Sequence, residues 1–162
     1  MASRLLSAKI CRDYPGRLAI VGDGRSCTYE DLWKGIQGLT GKLRDMGVSK
    51  GDRVAIWSYN SINWLIAFFA VIQAGGAAVH VNYSMSCQDA AELLKMTEAG
   101  FLLCGENGET KRDPAAMQKV VCLACIPEER FLDIRPSVLD LARAFPDAKE
   151  EPEKQRRKRI EY

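Results

Sequence analysis

The feature that most constrains this chain is the apolar stretch NWLIAFFAVIQAGGAAVHVN, from Asn63 to Asn82. At ~1.5 Å per helical residue, eighteen such residues would reach ~27 Å, close to the hydrocarbon thickness of a bilayer. Polar and glycine residues interrupt it. Asn60 and Asn63 stand at its entrance, Gln73 lies inside it, Gly75 and Gly76 break it, and His80 and Asn82 close it. The flanks also lack the Lys and Arg cluster that orients a membrane span. A soluble helix, turn and strand is therefore expected. Ser61 can cap the helix, with Ile62, Leu65, Ile66, Phe69 and Ile72 on its apolar face and Ala67, Ala70 and Val71 on the other sides. The Gly pair ends the helix, and Ala77 to Val81 follows as a short buried strand.

The same alternation extends along the chain. Leu18 to Val21 and Ser26 to Tyr29 read as two strands of a hairpin, with the positive dihedrals of its tight turn at Asp23-Gly24. Gly22 and Gly24 imitate the start of a dinucleotide fingerprint, but Cys27 holds the third glycine position and the chain continues as a strand. Thr28 with Asp31 three residues on predicts a capped helix carrying Leu32, Ile36, Leu39, Leu43 and Met46, ended by Gly47. Val54 to Trp57 then reads as a strand. Ser86 and Asp89 open a helix over 87–98 with Ala90, Leu93, Leu94 and Thr97 inward, and Phe101 to Cys104 forms the next strand. ENGETKRD reads as a polar loop, Pro114 as the start of a shorter helix and VVCLAC as a strand. Strands and helices joined by short connections imply parallel pairing, so the expected fold is a mainly parallel, doubly wound α/β sheet.

Composition narrows the function classes. With 47% hydrophobic and 27% charged residues over 162 positions, the chain is expected to form one sizeable core. A net charge of +2 gives no argument for nucleic acid. The start MASRLLSAKICRDYPG lacks the apolar run of a secretory signal, so a cytoplasmic location is expected, with a mitochondrial presequence as the alternative. Six Cys lie in apolar runs such as FLLC and VVCLAC, which reads as reduced, buried thiols rather than a disulfide framework. Cys122 and Cys125 form a CxxC, a spacing that zinc sites and redox pairs share. On a strand they would point to opposite faces, and with neither a second CxxC nor a paired His no metal site is expected.

Residues 1–145 read as one α/β portion, with Pro136 to Phe145 as a last helix, and 146–162 as a charged linker or tail. KQRRKR within that tail reads as a solvated face.

The residues RLAIVGDGRSCTYEDL, GVSKGDRVAIWSYNSINWLIAFFAVIQAGGAAVHVN and AAELLKMTEAGFLLCG occur in this order. From about Ala19 to Gly105 they resemble the N-terminal part of the adenylate-forming enzymes: acyl-CoA synthetases, 4-coumarate CoA ligases, luciferases and the adenylation domains of peptide synthetases. The resemblance implies an incomplete N-terminal subdomain of an AMP-dependent synthetase, with fatty acid metabolism among its settings. It implies activation of a carboxylic acid by ATP as an acyl adenylate, then transfer to CoA. ATP, Mg and CoA are thus implied for a complete member, and none of them for this chain.

Several family parts are absent from this sequence. There is no Ser/Thr/Gly-rich phosphate loop ending in Lys; its nearest imitation, Gly105 to Lys111, lacks the small and hydroxyl residues. The aromatic and Glu motif near adenine, the ribose-binding Asp and the C-terminal Lys are also missing. RIEY stands about where the family would enter its phosphate loop. Some members carry a basic residue where this chain has Leu93, so no CoA contact is transferred. Asn82, Tyr83 and Ser84 have a sufficient reason in the strand-to-helix turn they form. No catalytic, cofactor-binding or metal-binding residue is therefore assigned.

Three readings follow. The chain is the front of an acyl-CoA synthetase, inactive alone and partnered by the remainder of a synthetase; or a stand-alone interaction or regulatory module pairing with a synthetase chain; or a flavodoxin-like nucleotide-binding domain. SYNSIN and NYSMSC, which contain no Gly, disfavour the third.

Overall fold

The computed structural model describes residues 8–22 and 24–135. A short helix α1 (Ala8–Asp13) precedes an antiparallel hairpin of β1 (Leu18–Gly22) and β2 (Arg25–Thr28). Gly24 takes φ +68° in the turn, the left-handed backbone that the sequence reading places there; Asp23 lies outside the described residues.

Helix α2 (Tyr29–Asp45) begins at Thr28, whose Oγ1 accepts from the Asp31 amide at 3.1 Å while Asp31 Oδ2 accepts from the Thr28 amide at 3.1 Å. Each side chain satisfies an amide that the helix start would otherwise leave unpaired. Leu32, Ile36, Leu39 and Leu43 are buried at helical spacing, and Gly47 follows the helix with φ +96°.

The main sheet contains β3 (Arg53–Trp57), β4 (Ala77–Val81), β5 (Phe101–Cys104) and β6 (Phe131–Asp133), in the order β4-β3-β5-β6. Every pairing is parallel. Helix α3 (Ile62–Ala74) joins β3 to β4, and α4 (Cys87–Met96) joins β4 to β5. Helices α5 (Gly108–Arg112) and α6 (Ala116–Ala124) and a 3-10 turn at Glu128–Arg130 lead to β6.

Alternation along the strands divides the core in two. Val54, Ile56, Phe101 and Leu103 face one layer with α2 and α3; Ala55, Trp57, Leu102 and Cys104 face the other with α4 and α6. The sheet is thus doubly wound, as expected. At ~25 cal/mol per Å² of apolar surface removed from water, two such faces are the main stabilising contribution.

Several expectations need correction. The strand Ala77 to Val81 is not buried throughout: at the edge of the sheet it exposes Ala77 and His80 and fully buries only Val81. VVCLAC is not a strand: it lies in α6 and ends at Cys125, because the apolar pattern starts earlier, with Ala116, Met117, Val120 and Val121 forming one buried helical face. ENGETKRD is not merely a loop, since it contains α5. The inner face of α4 is Cys87, Ala90, Ala91 and Leu94, with Leu93 and Thr97 half-buried.

Helix α3 also turns its small side inward. Ile66, Ala67, Ala70, Val71 and Ala74 are buried, while Leu65, Phe69 and Ile72 are half-buried. The reason is close approach to α2, whose Thr40 Oγ1 stands 3.5 Å from the Ala70 carbonyl. No helix among the described residues is long and apolar enough to cross a membrane. The expected helix over 136–145 and the charged tail lie outside the described residues.

Candidate functional site

In an open α/β sheet, ligands bind beyond the carboxyl ends of the strands, where the winding direction reverses. Here α3 lies on one face and α4 on the other, so the reversal falls between the neighbouring strands β3 and β5. The loops after these strands carry Ser58, Tyr59, Gly105, Glu106 and Asn107. They bond to each other. Tyr59 N–H donates to the Glu106 carbonyl at 2.7 Å, and Gly105 N–H donates to the Trp57 carbonyl at 3.0 Å.

Asn107 stands at the centre of this junction and is fully buried. Its Oδ1 accepts from the amides of Glu109 and Thr110, both at 3.0 Å, and its own N–H donates to Thr110 Oγ1 at 2.9 Å. Its Nδ2 faces the carbonyls of Trp57 at 3.5 Å and Gly105 at 3.4 Å. The remaining amide of the α5 start, Gly108 N–H, donates to the Tyr83 carbonyl at 2.9 Å.

This arrangement answers whether Gly105 to Lys111 cradles phosphate. A phosphate site at a helix start needs free N–H groups aimed outward. The amides of Gly108, Glu109 and Thr110 are all engaged within the protein. ATP does not fit this donor set, and no reaction step runs through it here.

The neighbouring loops are similarly committed. Ser61 Oγ accepts from the Trp64 amide at 3.0 Å, and Ser86 Oγ from the Asp89 amide at 3.1 Å. Asp89 also places a carboxylate at the start of α4, where it would repel a phosphate. Asn82 Oδ1 accepts from Ser84 N at 2.9 Å and Ser84 Oγ at 2.8 Å, so these residues shape the turn after β4. Trp57 Nε1 donates to the Asn82 carbonyl at 3.2 Å, fastening that turn to β3. The tyrosines of the two loops meet with centroids 4.7 Å apart, and the Lys111 ammonium lies 4.8 Å from the Tyr59 centroid.

At the end of β6, Asp133 accepts from Arg135 Nε and Nη2, the latter at 2.6 Å. Ile134 N–H donates to the Cys104 carbonyl at 2.9 Å, and Asn63 Nδ2 donates to the Ile134 carbonyl at 2.8 Å. Among the described residues no group of three or more His, Cys, Asp or Glu side chains is placed to hold a metal ion. Burial in the junction pushes the Cys104 thiol up to about 12, with the Asp133 carboxylate adding to the effect. That thiol stays protonated and unreactive at neutral pH.

Leu93, where some members of the resembled family carry a basic residue, is half-buried against the α4 and α6 layer. For Asn107 and Gly105, which lie in the imitation loop, sequence reasoning missed the structural role: a buried cap and a close approach to Ser58. The signal for Asn107 was present: an Asn three residues before Thr110 has the spacing of a capping pair.

The family model described as AMP-binding enzyme matches residues 8–158. A methyl-dioxo-octahydroindenyl-propanoyl:CoA ligase of Mycobacterium tuberculosis is 29% identical over 126 residues, covering 75% of this chain and 25% of that protein. An anthranilate CoA ligase solved with anthranoyl-AMP superposes at a TM-score of 0.76 with 19% identity, covering 93% of this chain and 28% of the other. The N-terminal subdomain of Klebsiella oxytoca NpsA, in complex with 3-hydroxybenzoyl-AMSN, superposes at 0.64 with 21% identity, covering 88% of this chain and 32% of that one. These two likenesses establish the fold. The chain spans about a quarter of the length of the first relative, and about a third of an N-terminal subdomain.

Proposed function

Because the chain belongs to the family of AMP-binding enzymes, we propose that it is the leading structural portion of an acid–thiol ligase. The complete enzyme would join a carboxylate to the α-phosphate of ATP, release pyrophosphate and pass the acyl group to CoA. In this reading residues 8–135 contribute scaffold, and the groups that hold ATP, magnesium and CoA come from the remainder of the enzyme.

The observation that carries the reading is the committed junction between β3 and β5. Preorganised donors around developing phosphate charge are the main source of catalysis in such chemistry. The amides at the start of α5 instead serve Asn107 and Tyr83. The 75% coverage of this chain but 25% of its ligase relative supports the same conclusion.

The remainder of the ligase is the proposed partner, and two surfaces suit it. Edge strand β4 has its outer backbone side unpaired among the described strands, and an edge of this kind invites further pairing. Beside it, Trp64 Nε1 is buried without a hydrogen-bond partner among the described residues, 5.2 Å ring to ring from the exposed His80. On the hairpin, Leu18 and Val21 are 61% and 74% exposed.

The test is exchange of labelled pyrophosphate into ATP with fatty, aryl and short-chain acids. No exchange above a no-protein control is expected from the chain alone, and recovery is expected after co-expression with the remainder of a related ligase. Exchange by the chain alone would overturn the scaffold role. One observation favours the alternative of an independent interaction module: both sheet faces are already covered by the chain's own helices. A monomer that unfolds cooperatively and ignores the remainder would select that alternative.

A further inference from the structure

Placing VVCLAC on a helix changes the meaning of its two thiols. Cys122 lies in the last turn of α6 and Cys125 caps it, with φ 56° and ψ 39° in the left-handed region that glycine usually occupies. The Cys125 N–H donates to the Cys122 carbonyl at 3.2 Å. A bond between these positions closes a four-residue turn whose end Cα atoms are within about 7 Å, overlapping the range of roughly 4.4–6.8 Å that a disulfide bridges. Both thiols are exposed, which corrects the expectation that all six would be buried; Cys11, Cys27, Cys87 and Cys104 are buried. Desolvation raises the pKa of each of those four, further suppressing their thiolates.

We propose that Cys122 and Cys125 form a dithiol pair that a small-molecule disulfide oxidises reversibly to an intrachain disulfide. One protein thiolate attacks a sulfur of the small disulfide, forms a mixed disulfide and expels one small thiolate. The second protein thiolate attacks the mixed disulfide at the protein sulfur, forms the Cys122–Cys125 bond and expels the other. Two protein S–H groups become one S–S bond, the small disulfide is reduced to two thiols, and the two protons end on those thiols. The bond would fasten the end of α6, whose buried face of Ala116, Met117, Val120 and Val121 packs in the second core layer. This site does not depend on the ligase reading.

The experiment treats the full native chain with oxidised glutathione, blocks remaining thiols by alkylation and measures mass. The tryptic peptide from Val120 to Arg130 contains both cysteines. The expected product is a monomer in which that peptide carries no alkyl group and is two hydrogens lighter than the unmodified dithiol peptide, a change reversed by dithiothreitol. Cys122→Ser and Cys125→Ser should each abolish the lighter species and accumulate a glutathione adduct on the remaining thiol of the pair. Two stable glutathione adducts on the pair would overturn the proposal, as would a disulfide-linked dimer in place of the lighter monomer. Equal alkylation rates at all six cysteines would also reject it, because exposure would then select nothing.

Discussion

The Cβ that Gly105 lacks would stand 2.3 Å from the Oγ of Ser58 and 2.8 Å from its Cβ. This contact lies just beyond Trp57 and Cys104, the last paired residues of β3 and β5. The two strands therefore continue to touch after their ladder ends, in the crevice where open α/β sheets bind ligands. Here the glycine admits a neighbouring side chain and closes the junction.

Gly105→Ala should consequently destabilise the chain by about 1–3 kcal/mol, the range of overpacking in a filled interior. Ser58→Gly removes the atoms that clash, so Gly105→Ala should cost less in its presence. A double-mutant cycle from urea unfolding measures that coupling. Full additivity would mean that the loops separate to accommodate the methyl group.

Asn107 supports the same junction through hydrogen bonds rather than shape. Asn107→Ala removes the cap of α5 and leaves buried groups unpaired, a loss of about 1–3 kcal/mol. Asn107→Asp keeps the acceptor for Glu109 and Thr110 but aims a carboxylate at the carbonyls of Trp57 and Gly105. That variant should be destabilised at pH 7 and recover as its carboxyl protonates, since the folded state favours the neutral form. Denaturation at pH 7 and pH 5 relative to the parent tests the sign.

What was legible in the sequence follows from the range of each interaction. Thr28, Ser61 and Ser86 were readable as caps because each acts on an amide three residues away. The four buried leucine and isoleucine positions of α2 repeat at helical spacing within one element. The misreading of α6 arose from starting the window at Val120; beginning at Ala116, the exposed Gln118, Lys119 and Cys122 complete a helical period. On α3 the large apolar residues suggested the inner face, but the approach of Thr40 to the Ala70 carbonyl favours small ones, and that contact joins two helices. The junction was illegible for the same reason. Tyr59 meets Glu106, and Asn107 meets Trp57, only after three strands have found their order.

Cys104 gives a pH prediction. Burial first, then the Asp133 carboxylate, raises its thiol from an ordinary 9.0 to about 12. The folded state thus holds a proton that the unfolded chain releases earlier. The resulting stability is complete below the unfolded value and is lost as pH rises from about 9 toward 12, because the unfolded state binds fewer protons in that window. Between pH 8 and pH 10 the parent should lose more unfolding free energy than Cys104→Ala, which has no such proton. Parallel pH profiles for the two proteins would show that the thiol is solvated.

The hairpin provides the test of partnership. Leu18 and Val21 are largely exposed, while Ala19 and Ile20 on the same strand pack against the first core layer. Replacing both exposed residues with Lys removes apolar surface that the chain itself does not bury, so its own stability should change by only about 0.5 kcal/mol. Association is another matter. If the remainder of the ligase covers this surface, burying two charged side chains there would require desolvating them without partners. The Leu18→Lys, Val21→Lys variant should then fold as the parent does, yet fail to co-purify with the remainder and fail to restore pyrophosphate exchange. Unchanged co-purification and exchange would remove the hairpin from the interface and leave the β4 edge, with Trp64 and His80, as the surface to mutate next.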